Sequence, residues 1–358
     1  MKLGSYIAQT DERNSDLAVT NLLGVSIEKR FVPSIANTVG TDLSKYKVVH
    51  PGEFAYGPVT SRNGDKVSVA RLSGSSCIIS SSYTSFKVVN KGLDPAYLML
   101  WFMRPEFDRY ARFKSHGSAR EIFDWEQMCD VDLPIPPLEE QQRVVESFQA
   151  IDDRIVALCQ LNDKLAALRT HVFQHRFGCY KAACLEGKII EGWSRVRLGD
   201  LADFTYGKMV PASKRTKHGV PVYSGYGITG YCKEAMFNEA QLIVVARGVS
   251  GTGNVRITPD ECYLTNLSIA VLLNDRTDMG YLFEYLSGDN LISLDSGSAQ
   301  SMITIGDLAA HHIALPPKEQ MKEFDRVFQS IKRLMDANER ELEILARAKD
   351  VYVSALGR

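Results

Sequence analysis

Three groups of residues in this 358-residue chain have the types and spacings that chemistry uses. The first is His171, His175 and Cys179, at i, i+4 and i+8, with Cys184 beyond; His/Cys sets on one helical face can ligate zinc. Gly178 argues for a plainer reading, a helix end at which histidines meet the negative end of the dipole, so no metal is expected there. The second is Gly248-Val249-Ser250-Gly251-Thr252-Gly253, which lacks the Lys-Ser/Thr ending of a phosphate loop and reads as a tight turn between strands. The third is a basic run, Lys208, Lys214, Arg215, Lys217 and His218, directly before Tyr223-Ser224-Gly225-Tyr226-Gly227. Cations neutralise phosphates, glycines admit a close backbone, and Ser and Tyr donate to phosphates or base edges. A solvated loop is the competing reading. Arg62 and Arg247 are the candidates for base reading, because a guanidinium grips guanine O6 and N7 with two hydrogen bonds; an internal carboxylate partner is their structural alternative. Arg109, Arg112, Lys114, His116 and Arg120 form a second basic run open to the same two readings.

The formal net charge is −1, so any field that attracts nucleic acid must be local. The composition is 45% hydrophobic, ample for packed cores over more than one domain. Seven scattered cysteines without a CxxC pair indicate reduced thiols and a cytoplasmic location. No stretch of signal length or of about 18 apolar residues points to export or to a membrane partner.

The elements that must position these groups fall into two kinds. Residues 21–34, 46–59, 66–72, 77–82 and 85–89, then 220–227, 241–248, 254–257 and 267–273, alternate apolar and polar side chains between Gly and Pro and read as strands. Pro95 to Phe113 has helical spacing interrupted at Pro105, and residues 279–288 predict another helix. Two long heptad seams stand apart. One runs Val144, Phe148, Ile151, Ile155, Leu158, Asn162, Leu165, Arg169 and Val172 after Pro136-Pro137 and Glu139; it spans about 42 Å and needs a partner. The other runs Phe324, Phe328, Ile331, Met335, Asn338, Leu342, Leu345 and Tyr352 after Pro316-Pro317 and Glu319. One Asn on each seam, Asn162 and Asn338, would penalise misaligned registers.

The chain also repeats itself. Leu3-Gly4 matches Leu198-Gly199; Arg62, Arg71 and Cys77 match Arg247, Arg256 and Cys262; Asp94, Tyr97 and Leu98 match Asp278, Tyr281 and Leu282. Gly117-Ser118-Ala119, Pro136-Pro137, Phe148 and Ile151 match Gly297-Ser298-Ala299, Pro316-Pro317, Phe328 and Ile331. The offset only shrinks along the chain, as for one ancestral unit whose first copy kept longer loops. The expected organisation is a first α/β domain over 1–135, a long helix over 136–177, a linker over 178–192, a second α/β domain over 193–315 and a second long helix over 316–358. The fold class is mixed α/β (α+β), with two globular domains in a pseudo-twofold repeat and two long antiparallel helices forming a coiled coil.

This doubled unit, each copy closed by a Pro-Pro-x-Glu-started helix, resembles the specificity (S) subunit of type I restriction-modification enzymes. In the second copy residues 221–231, 242–255, 262–268 and 297–320 are similar to the family's target-recognition domain block by block, whereas the first copy lacks a counterpart of 224–231. The resemblance implies a non-catalytic reader of double-stranded DNA, each domain taking one half of a bipartite, asymmetric target and the helices acting as spacer. It implies two adenine methyltransferase (M) subunits and two ATP-driven restriction (R) subunits as partners, with S-adenosylmethionine, ATP and Mg belonging to those partners and no cofactor on this chain. The residues agree that the chain is not itself the enzyme. Ile135-Pro136-Pro137-Leu138 and Leu315-Pro316-Pro317-Lys318 lack the polar start and aromatic end of a methyltransferase's base-holding turn, and no acid-x-Lys follows Pro259-Asp260 to make a nuclease site. The rival reading is a coiled-coil scaffold presenting two protein- or glycan-binding domains.

Overall fold

Short alternating segments punctuated by Gly and Pro can form only short strands, and such strands must stack on something apolar. The structure, a computed structural model that describes residues 1–35, 40–61, 63–64, 66–116, 120–248, 251–294 and 302–356, gathers them into two compact units. Unit 1 comprises Met1–Leu158 with Arg340–Arg358, and unit 2 comprises Cys159–Glu339.

Unit 1 contains β1 (Ile7–Thr10), β2 (Leu23–Val25), β3 (Phe31–Pro33), β4 (Lys47–Val49), β5 (Phe54–Tyr56), β6 (Val69–Arg71), β7 (Cys77–Ile79) and β8 (Thr84–Val88). Helices α1 (Pro95–Phe102), α2 (Pro105–Lys114) and α3 (Trp125–Cys129) follow, and α4 (Leu138–Leu185) begins here. The central sheet is antiparallel in the order β1-β8-β5-β6, while β2 pairs with β3 and β4 with β7. Pro105 opens α2 instead of kinking one long helix, because its missing N–H is harmless in a first turn. The interior is aromatic: Phe54 stacks on Phe86 at 4.9 Å, and Phe102, Phe107 and Phe123 complete the cluster, all with no exposure.

Unit 2 contains β9 (Ser194–Arg197), β10 (Ala202–Tyr206), β11 (Arg215–Thr216), β12 (Val220–Tyr223), β13 (Ile228–Cys232), β14 (Leu242–Val245), β15 (Val255–Ile257), β16 (Tyr263–Leu264), β17 (Ser268–Leu273) and β18 (His312–Leu315). Its helices are α5 (Met279–Ser287), α6 (Ile305–Ala310) and α7 (Lys318–Ala355). The central sheet runs β10-β17-β14-β15; a second sheet runs β11-β13-β12-β16, and β9 pairs with β18.

The internal repeat survives at the level of individual hydrogen bonds. Phe54 sits between Arg71 and Phe86 in its sheet, as Ile243 sits between Arg256 and Ala270. The Leu3 N–H donates to the Val131 carbonyl at 2.9 Å and the Leu198 N–H to the His311 carbonyl at 2.8 Å. Tyr97 Oη reaches the Pro134 carbonyl at 3.5 Å, and Tyr281 Oη the Ala314 carbonyl at 2.5 Å. Capping boxes start α3, from Asp124 and Gln127, and α6, from Thr304 and Asp307. The Gly-Ser-Ala matches of the sequence, 117–119 and 297–299, lie outside the described residues.

Both long helices begin just after their proline pairs. The Pro137 carbonyl accepts from Gln141 N–H at 3.1 Å and the Pro317 carbonyl from Met321 N–H at 3.3 Å. The first helix does not end at Phe177: α4 continues through Gly178 to Leu185, so residues 178–185, read as linker, are helical. A glycine inside a helix costs about 1 kcal/mol. Phe177 and Cys184 are both buried in the unit 2 core, and seating one such side chain gains about 1.5–3 kcal/mol, which outweighs the glycine.

Within each unit the stretches of α4 and α7 run antiparallel. In unit 1, Tyr352 Oη donates to the Val144 carbonyl at 3.2 Å, Lys349 Nζ meets Asp152 at 2.5 Å and Arg154 grips Glu341 through two nitrogens at 2.7 and 3.0 Å. In unit 2, Asn338 Nδ2 donates to Asn162 Oδ1 at 2.7 Å, so the two seam asparagines pair as expected. About two turns on, Arg169 lies between the rings of Phe283 and Phe328, 4.6 and 5.0 Å from their centroids, and pairs with Glu284. Thr170 Oγ1 donates to the same carboxylate at 2.8 Å. The Glu284 side chain is 2% exposed, so removing either charge strands the other. We expect Glu284→Ala to cost unit 2 about 3–5 kcal/mol, and the paired change Arg169→Met with Glu284→Leu to cost much less. Hydrogen exchange of the α5 amides reads the difference; equal losses in both variants would show that the charges contribute nothing beyond packing.

Candidate nucleic-acid interface

In unit 2 the basic run and the Gly/Tyr/Ser loop come together on the β11-β13-β12-β16 sheet. β11 pairs with β13 through Arg215 and Cys232, and β12 returns along the other edge of β13. On β13 the register shifts, Pro221 facing Tyr231 and Tyr223 facing Ile228, so that Ile228 and Tyr231 fall on one face and are exposed while Cys232 is buried. Lys208, Arg215 and Lys217 are exposed and have no ion pair among the described residues. Lys214 differs: its Nζ meets Glu234 Oε2 at 2.7 Å, and that hydrogen bond raises the lysine's pKa and lowers the glutamate's. Both side chains are largely exposed, 49% and 69%, so this is a weak, solvent-screened pair that competes with a phosphate contact without removing it.

The loop residues divide by burial. Tyr223 is half-buried, and burial pushes its phenol up. Ser224 is 3% exposed, so it is not a surface donor: its Oγ donates to the Gly227 carbonyl at 3.1 Å and accepts from the Tyr226 N–H at 3.3 Å. It shapes the turn. Tyr226 is 49% exposed and is the loop side chain that reaches solvent.

Arg247 has no carboxylate partner among the described residues. Its guanidinium lies over the Tyr206 ring at 6.0 Å, and its Nε is buried without a hydrogen-bond partner. Arg62 lies outside the described residues. The bridge that Arg247 makes with Met302 is made in unit 1 by Val59 with Ile122, so strand pairing matches Arg247 to Val59 and not to Arg62. The connection from β5 to β6 is longer than that from β14 to β15, which is why residue-type matching slipped there.

In the second basic run two of the five residues are paired with carboxylates. Arg109 pairs with Glu106 at 3.1 Å, Arg112 pairs with Glu121, and Lys114 lies over the Tyr110 ring at 5.8 Å. Arg120 is exposed. Sequence reading missed Ile228, Tyr231 and Met209, which are exposed beside the basic run; strict alternation would put Ile228 and Tyr231 on opposite faces, and only the register shift opposite Pro221 and Tyr223 brings them together. It also missed Glu234, the surface partner of Lys214.

His171, His175 and Cys179 are exposed on α4 while Cys184 turns into the core, and among the described residues no group of three or more His, Cys, Asp or Glu is gathered to hold a metal ion. All seven cysteines are free, and no described helix is long and apolar enough to cross a membrane.

Comparison with known proteins agrees with this architecture. The family model for the type I restriction modification DNA specificity domain matches residues 52–167 and 190–345. The putative type I restriction enzyme MjaX specificity subunit of Methanocaldococcus jannaschii is 25% identical over 291 residues, covering 75% of this chain and 68% of that protein. The MjaIX specificity subunit of the same organism is 23% identical over 297 residues, 74% and 68% of the two chains. The crystal structure of the S subunit of a type I restriction-modification system from M. genitalium superposes with a TM-score of 0.63 at 15% identity, over 99% of this chain and 95% of that one. With two copies of the domain filling most of its length and the same fold from end to end, the chain belongs to the type I restriction-modification DNA specificity family.

Proposed function

We propose that this chain is the sequence-reading subunit of a type I restriction-modification complex, each unit taking one half of a bipartite, asymmetric DNA target. The observation that carries this is one central sheet used twice with two different outer layers. β1-β8-β5-β6 and β10-β17-β14-β15 share order and register, and each outer layer contains a parallel step, Leu22 to Ile78 in unit 1 and β12 to β16 in unit 2, but unit 1 extends its layer with β4 beside β7 whereas unit 2 adds β11 beside β13. A shared scaffold with unlike surfaces fits two readers of unlike half-sites. In this reading the chain performs no chemistry. Adenine methylation is the work of two methyltransferase subunits, cleavage that of two restriction subunits, and S-adenosylmethionine, ATP and Mg are their cofactors. The near-neutral charge fits a job shared with partners that supply phosphate contacts.

The exposed Met209, Ile228 and Tyr231 favour one rival, a scaffold whose outer sheet binds protein. A salt series on the chain assembled with its methyltransferase subunits separates the two. DNA reading predicts steep salt dependence, and Arg215→Ala with Lys217→Ala reduces the slope of log K against log salt by about two while weakening all sequences alike. Binding that ignores salt would favour the scaffold. Arg247→Ala should instead alter preference in one half-site; an equal change in both would remove it from the base-reading residues. Four residues inserted into α4 should change the tolerated number of unread base pairs and leave both half-site sequences as they were, as methylation mapping would show. A changed half-site sequence would contradict the spacer role of the helices.

A further inference from the structure

We propose that Tyr226 is a base-contacting residue of the unit 2 reader and that Gly248 and Gly251 are its positioning residues; this rests on the DNA reading given above. The backbone of Tyr226 is fixed first. Ser224 spans the turn with its N–H, 3.0 Å from the Gly227 carbonyl, and with the two hydroxyl contacts described above. Gly225 has φ +83°, and a Cβ there would stand 2.6 Å from Ser268 Oγ and 2.8 Å from Val245 Cγ2. No other residue type fits under this turn.

The ring is fixed second, by backbone alone. A Cβ on Gly248 would stand 1.9 Å from the Tyr226 hydroxyl and 3.3 Å from Cε2. A Cβ on Gly251 would stand 2.5 Å from Cε1 and 2.9 Å from Cζ. The phenol end therefore rests against side-chain-free backbone on both of its edges, although 49% of the residue remains exposed. A tyrosine serving only the core would be covered, and a loose surface tyrosine would need no glycine seat. A clamped but open aromatic is pre-organised for a ligand, because its rotamer entropy is lost before binding.

The chemistry of the seat points to duplex DNA. The phenol offers a flat apolar edge, which suits a thymine methyl, and a hydroxyl that both donates and accepts at a base edge. Arg247, the chain neighbour of Gly248, brings the buried Nε that has no partner. Arg215, on the strand beside β13, is free to neutralise a phosphate.

The exposed position of the ring makes this testable without unfolding the unit. The assembled complex with methyltransferase subunits is used to methylate a duplex library randomised in both half-sites, with Tyr226→Phe, Tyr226→Ala, Gly251→Ala, Gly248→Ala and the double change Tyr226→Ala with Gly251→Ala. The expected result is a loss of about tenfold or more in discrimination at one position of the unit 2 half-site for Tyr226→Ala. Gly251→Ala and Gly248→Ala give a comparable loss, Tyr226→Phe a smaller one, and the first half-site does not change. The double variant should be no worse than Tyr226→Ala alone, because the glycine acts through the ring. Additive losses would overturn the positioning role, and unaltered preference in Tyr226→Ala would overturn the base contact. Weaker methyltransferase association with unchanged preference would mark the ring as a protein contact and also overturn it. A wild-type complex that does not discriminate sequences at all would refute the DNA reading itself, an outcome distinct from wild-type discrimination that survives every Tyr226 variant.

Discussion

A helix of 48 residues carrying an apolar seam cannot stand in water, and the rest of this structure follows from how that seam is covered. In unit 2 the seam positions Asn162, Leu165, Arg169 and Val172 are half-buried, and the turns beside them are sealed: Phe173, Phe177, Phe324 and Phe328 are each at most 1% exposed, packed on one another and on Tyr281. Burying each such ring contributes on the order of 1.5–3 kcal/mol, so these turns belong to the core of the unit. In unit 1, Phe148 from α4 and Val353 and Leu356 at the end of the chain join the cluster built on β1, β5 and β8. The order of the chain is therefore not the order of its cores. The last residues complete a unit whose strands are encoded first, and a truncation at either end would open the same interior.

Much of this was legible because burial imposes a period. The seams, their proline starts, the pairing of Asn162 with Asn338 and the split of the helical stretch at Pro105 all show as spacing or as a backbone constraint in the residues themselves. What was not legible depended on a neighbour distant in the chain. Gly178 carries a local stop signal, but its flanking Phe177 and Cys184 are held by residues of α5 and α7, and tertiary packing overrode the propensity. Arg169 breaks the apolar pattern, and only the position of Glu284, more than a hundred residues on, explains it.

The candidate site shows the same division. Sequence located the basic run and the turn, yet it could not sort them, since exposure and partnering are decided by β13 and β16. Lys214 and Arg215 are adjacent and alike in type; one is held by Glu234 and the other is free. Ser224 and Tyr226 are two residues apart in one turn; one builds it and the other is presented by it. Residue type gives the range of roles, and the fold chooses among them.

The two copies show why one interior tolerates two readers. In unit 1 the connection from β1 to β5 holds β2, β3 and β4, and that from β6 to β8 holds β7; in unit 2 the connections from β10 to β14 and β15 to β17 hold β11, β12 and β13, then β16. The same two connections carry the outer layer each time and meet by a parallel step in both, Leu22 to Ile78 and β12 to β16, but the edges differ, with β4 paired along β7 in unit 1 and β11 added beside β13 in unit 2. Closing a longer connection costs little, about 0.6 kcal/mol per doubling of its length, whereas disturbing the central register would break the pairing of Phe54 with Arg71 and Phe86 and of Ile243 with Arg256 and Ala270. Change is thus inexpensive in the outer layer and costly in the central sheet. A reader assembled this way can exchange the surface that meets DNA while the buried register, and the helices seated against it, stay as they are.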